Sequence, residues 1–200
     1  MKKMIITIML ITGLFAQSNM TLVGGVNYAT FGGSDNELEG VSPDNLLGFR
    51  FGLQQNLANG LISGATYTQR GALYSETEEG ASIDVTFKVN YLTTYVLKPF
   101  PMQPGFDLLA GMEVGYFLGA NMELKFCNDG DCESEDEDVD GDDWDDMDNN
   151  KIDYGLVVGG QYNINQQMSI IGTYYLGLSS WADEDDITNS GLTINIAYGL

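Results

Sequence analysis

Residues 129–148 carry thirteen Asp or Glu residues and no Lys or Arg. Inside that run, Asp136-x-Asp138-x-Asp140-Gly141 repeats the opening half of an EF-hand calcium loop, where alternate carboxylates around a glycine supply oxygen ligands. The Asp142 carbonyl falls at the seventh position. The twelfth is Met147 in place of a bidentate Glu, and Asp145, Asp146 or Asp148 could substitute. Weak Ca²⁺ binding by Asp136, Asp138, Asp140, Asp142 and Asp145 is therefore one expectation. The other is a solvated acidic run that gathers cations diffusely, because an Asp-rich stretch meets this pattern partly by chance. Just upstream, Cys127 and Cys132 bracket Asn-Asp-Gly-Asp, a turn-forming tetrad. They read as a disulfide pair. A thiolate zinc site is the rival, and a chain without histidine supplies too few ligands for it. No Ser, Cys or Lys stands in an arrangement that resembles an activated nucleophile, so an enzyme is not expected.

What presents these residues is set by the rest of the chain. Lys2 and Lys3, an apolar stretch over residues 4–15 and the small-residue segment Ala16-Gln17-Ser18 form the pattern of a secretory signal peptide, assigned to residues 1–18. Export to an oxidising compartment favours the Cys127–Cys132 disulfide. No later segment approaches the length of an apolar spanning helix. Instead, 25 Gly, 11 Tyr and 9 Phe are strung through residues 19–200 in alternating patterns. The formal net charge of −21 excludes a nucleic-acid binder and favours cationic partners.

The alternating segments predict eight strands, near 20–30, 46–56, 61–70, 84–98, 106–120, 152–163, 168–179 and the last residues to Leu200. In the second, Leu47, Phe49, Phe51 and Leu53 oppose Gly48, Arg50, Gly52 and Gln54. In the fourth, Phe87, Val89, Tyr91, Tyr95 and Leu97 oppose Lys88, Asn90 and Thr94. A soluble sandwich also alternates. Here the polar faces are Gly, Asn, Thr and isolated charges, and the last strand runs to the terminal residue. Both features fit an eight-stranded antiparallel up-and-down transmembrane β-barrel, apolar outside and polar within. Its connections alternate short with long, and 26 of the 29 acids fall in or beside the long ones. In such barrels the long loops are extracellular, which places the acidic run in an extracellular loop at about 121–151.

The polar faces carry Arg50, Arg70, Lys88, Glu113 and Asp153. Side chains alone fill the lumen of an eight-stranded barrel, and charges there are costly unless paired. The expectation is an interior network with Glu113 and Asp153 between Arg50, Arg70 and Lys88, closing the barrel to steady conduction.

Five segments in order resemble the PorT-like outer-membrane β-barrel family: LISGATYTQRGAL, KVNYLTTYVLKPF, LLAGMEVGYFLGA, KIDYGLVVGGQY and TYYLGLSSW. The resemblance implies a bacterial outer-membrane location among lipid and lipopolysaccharide. It also implies insertion by the barrel-assembly machinery, for which the closing Tyr198-Gly199-Leu200 resembles a signal ending in Leu rather than an aromatic. Some members are similar to a protein-secretion component, so an accessory role in transport or secretion stands beside a structural or interaction role. Thr93-Thr94-Tyr95 departs from the family's fourth strand, and the long acidic loop is not a general family feature. The surface partner is unnamed by any motif.

Overall fold

The computed structural model describes residues 20–34, 38, 40–78, 81–128, 131–141, 144, 150–181 and 186–200. The expected signal peptide and Asp142 and Asp145 of the acidic run lie outside the described residues. The strands are β1 (Met20–Gly32), β2 (Asp44–Asn56), β3 (Ile62–Glu78), β4 (Ala81–Gln103), β5 (Phe106–Asn128), β6 (Asp131–Val139), β7 (Ile152–Asn163), β8 (Met168–Gly177) and β9 (Thr188–Gly199). All neighbours pair antiparallel. The order is β4-β3-β2-β1-β9-β8-β7-β5-β6, and β4 also pairs with β5, so eight strands close a ring and β6 stands outside it. First and last strands meet along Thr21↔Gly199 to Gly32↔Thr188.

Period-2 alternation decides what faces lipid. Leu22, Val26, Tyr28, Leu47, Phe49, Phe51, Met112, Val114, Tyr116, Ile194 and Ile196 are all exposed on the outside. In water such a surface would be untenable; in a bilayer the backbone groups are satisfied by the closed ladder and the side chains by lipid. Phe49, Phe51 and Tyr67 stack on one another there, with centroids 5.2–6.1 Å apart. Inside, the ring is narrow, and glycines let neighbouring strands and rings approach. A Cβ on Gly64 would meet the Tyr95 ring at 2.3 Å, and one on Gly25 would meet the Ile194 carbonyl oxygen at 2.0 Å.

The strands are unequal. β4 and β5 have 23 residues each against 13 in β1 and β2. Ten more residues add about 33 Å of strand. The upper parts of β3, β4 and β5, joined by β6, thus rise above the ring as a four-stranded sheet. The loop expected at 71–83 is strand to within a two-residue connection: the ladder continues from Ala72↔Phe87 to Glu78↔Ala81, and Tyr74, Val85 and Phe87 pack together on one face of it. Likewise residues 120–128 of β5 and β6 form a hairpin where a loop was expected. At the short-connection end, β4 runs through Pro99 and Pro101 to Gln103. There β3 has ended at Ile62↔Leu97, so the side of β4 facing β3 lacks a ladder partner, and prolines are tolerated.

Candidate functional site

Four charged residues converge in the lumen. Arg50 from β2 and Glu113 from β5 form an ion pair at 2.6 Å, with side chains 7% and 1% exposed. Arg70 from β3 pairs with the other Glu113 oxygen and, through its second terminal nitrogen, with Asp153 of β7. Asp153 also accepts from Tyr175 Oη and Ser179 Oγ, each at 2.9 Å, and from Asn189 Nδ2 at 3.1 Å. The Arg70 guanidinium lies 3.7 Å from the centroid of the Tyr175 ring and 5.5 Å from that of Tyr91, and Arg50 lies 5.1 Å from that of Tyr95. Two cations meet two anions, and the aromatic faces supply further attraction. Beneath them Val23, Ile62, Tyr95, Leu97, Leu109, Val157 and Ile171 pack as an apolar floor. The cavity beside Arg50 and Glu113 measures about 20 Å³, enough for a single water and too small for a conduit.

Lys88 does not join this network. The expected assignment of strand faces is inverted along β4: Tyr91, Thr93, Tyr95 and Leu97 point inward, while Leu92 and Val96 face lipid. The interior needs aromatic bulk against the two arginines, and those tyrosines supply it. Lys88, one residue out of phase, faces outward above the ring and pairs with Glu123 at 3.2 Å, both side chains 34% exposed.

Above the network an aromatic cap closes the mouth. Trp144, the lone aromatic in the acidic run, is 4% exposed. It stacks on Phe117 at 4.2 Å and meets Trp181 edge-on at 5.3 Å, and Trp181 packs on Phe31 at 4.3 Å. Its backbone nitrogen donates to the Asp140 carbonyl and its indole nitrogen to the Asn150 carbonyl. The sequence held one signal for this anchor, a single aromatic residue among carboxylates. Phe117, Trp181 and Phe31 carried no separate one.

The rest of the acidic run forms the risen sheet. Cys127 and Cys132 oppose each other near the hairpin tip and are joined in a disulfide. Ladder pairing puts Tyr74, Val85, Leu124 and Glu135 on one face, with Ile83, Phe126 and Glu133 beside them. This face continues the inner wall of the barrel, and low on it Ala72 and Tyr74 are covered by Phe31, Val41 and Trp181. Burial raises the Tyr74 phenol above its ordinary pKa. The outer face carries Lys88, Glu123, Asp136 and Asp138. Asp136 and Asp138 are thus on a strand, and Asn121 Nδ2 donates to Asp138 Oδ1 at 3.0 Å. Asp140 follows the strand. Among the described residues, no three His, Cys, Asp or Glu side chains gather to hold a metal ion.

The chain matches the outer membrane protein beta-barrel domain family over residues 15–183. Two similar solved structures are the Neisserial surface protein A, 11% identical with a TM-score of 0.54 over 90% of this chain and 97% of that one, and the Yersinia pestis attachment invasion locus protein Ail, 16% identical with a TM-score of 0.51 over 92% and 99%. At these identities they share the fold. No curated protein sequence matches. Family and fold place the chain in the bacterial outer membrane.

Proposed function

Because the chain belongs to the outer membrane protein beta-barrel domain family, we propose that it is a sealed, non-enzymatic barrel that works through the acidic sheet it raises above the membrane. One observation carries this reading: the lumen is filled by Arg50, Arg70, Glu113 and Asp153 and capped by Trp144, while β3 to β6 extend beyond the ring. A conduit needs a continuous polar path. Here charge is neutralised inside and concentrated outside. Planar-bilayer recording of the refolded barrel should show no steady channel; sustained openings of nanosiemens size would overturn the reading.

The five strand motifs support a narrower kinship with PorT-like barrels, and Leu192, Ile194, Ile196 and Tyr198 alternate as an assembly signal does. The carboxylate density of residues 129–148 supports weak divalent-cation binding. Calorimetric titration should give saturable heat that prefers Ca²⁺ over Mg²⁺. Equal, salt-sensitive heat for both ions would leave only diffuse attraction.

A further inference from the structure

The upper inner face of the raised sheet is apolar, exposed and bordered by acid. Ile83 of β4 and Leu124 and Phe126 of β5 are 43%, 41% and 44% exposed. They adjoin on one face, since Ile83 opposes Phe126 and Val85 opposes Leu124. On the same face, β6 sets Glu133 opposite Phe126, Glu135 opposite Leu124 and Glu137 opposite Met122. These three glutamates are exposed and stand roughly 7 Å apart along the strand. Phe126 lies roughly 26 Å of strand beyond lipid-facing Leu118. This patch therefore meets water rather than lipid, and an apolar surface held in water beside a polar border marks a docking site.

We propose that this face docks an amphipathic helix with a cationic flank, its apolar stripe on Ile83, Leu124 and Phe126 and its Lys or Arg residues along Glu133, Glu135 and Glu137. A helix is about 10 Å across, wide enough to cover the two apolar strands and reach the glutamate row beside them. Its cations recur on one side at i and i+4, about 6 Å apart, close to the glutamate spacing. Charge also selects against rival occupants. Apart from Lys151, the connections at this end of the barrel contain no Lys or Arg, so no segment of the chain offers the complementary row. A second copy carries the same net charge of −21 and is repelled.

The proposal rests on the interaction reading above, and its test separates the two. The barrel in nanodiscs of zwitterionic lipid is titrated with a labelled synthetic helical peptide of leucine and lysine, with empty discs subtracted. The Glu133→Gln, Glu135→Gln, Glu137→Gln variant should weaken binding about tenfold, as should Leu124→Ser with Phe126→Ser. The outer-face pair Asp136→Asn and Asp138→Asn should stay within about threefold of the parent. All variants are exposed-site changes, checked for folding by strand circular dichroism. Equal losses from both faces would reduce the effect to general attraction and overturn the proposal. Binding indifferent to the apolar pair would overturn it as well. So would discs holding two barrels that separate on Phe126→Ser, which would make a second copy the occupant. A barrel that stays closed in conductance yet shows no peptide preference sinks this proposal alone.

Discussion

Replacing Glu113 by Gln should unbalance the lumen. Glu113 is 1% exposed and receives a terminal nitrogen from each of two buried arginines, Arg50 and Arg70. Gln keeps one acceptor oxygen but removes the charge and sets an amide NH₂ against a guanidinium. Two buried cations then share Asp153 alone. Removing one member of a buried pair costs about 3–5 kcal/mol, because the charge left behind is uncompensated. That is roughly two to three and a half decades in the folding equilibrium. The sharper expectation concerns the double variant. Arg50→Gln with Glu113→Gln restores neutrality and leaves the Arg70–Asp153 pair with its Tyr175, Ser179 and Asn189 support. It should be less destabilised than Glu113→Gln alone, by about 1 kcal/mol or more. Urea unfolding of the barrel refolded in micelles measures both. Strand circular dichroism is followed beside the fluorescence of Trp144 and Trp181, whose coincidence checks two-state behaviour. A double variant that loses the sum of the single losses would refute the charge-balance argument.

Trp144→Ala should release the mouth while sparing the ring: cleavage by protease between residues 140 and 150 should accelerate about tenfold or more, with the strand signal of the barrel unchanged. Unaltered cleavage would mean that the stack on Phe117 and Trp181 does not hold the acidic run. The adjacent glycines Gly24 and Gly25 should respond oppositely to alanine. A Cβ at Gly25 enters the β1–β9 seam 2.0 Å from a carbonyl oxygen, so Gly25→Ala should cost about 2 kcal/mol or more in urea unfolding. A Cβ at Gly24 meets nothing within 4 Å, and Gly24→Ala should stay within about 0.5 kcal/mol. Similar losses at both would dismiss close strand approach as the reason for Gly25.

The barrel was legible because a bilayer enforces a simple rule. Every spanning backbone group must pair, so strands recur, and every outward side chain must be apolar, so alternation persists over the whole span. β9, with Leu192, Ile194, Ile196 and Tyr198 outward, obeys it fully. The rule weakens where a lumen also wants apolar bulk. On β4 both faces are rich in large residues, and only partners on other strands decide between them: Arg70 lies over Tyr91, and Arg50 over Tyr95. Those partners are 21 and 45 positions away in sequence, beyond any local period. The same limit explains the split among the charged candidates. Arg50, Glu113 and Asp153 lie on strands whose opposite face is plainly apolar, and Arg70 follows Gly64, Thr66 and Thr68 along the small, polar face of β3, so their direction could be read; Lys88 lies on the ambiguous strand, and its direction could not. Acidity hid the raised sheet in a different way. Carboxylates disfavour strands on intrinsic grounds, yet six of the nine residues of β6 are Asp or Glu. It pairs because β5 continues past β7 and leaves residues 120–128 an open ladder, and because the disulfide fixes the hairpin that returns along it. The length of β5 over the ring is a tertiary fact, and with it the conversion of an acidic loop into a sheet with an apolar inner face.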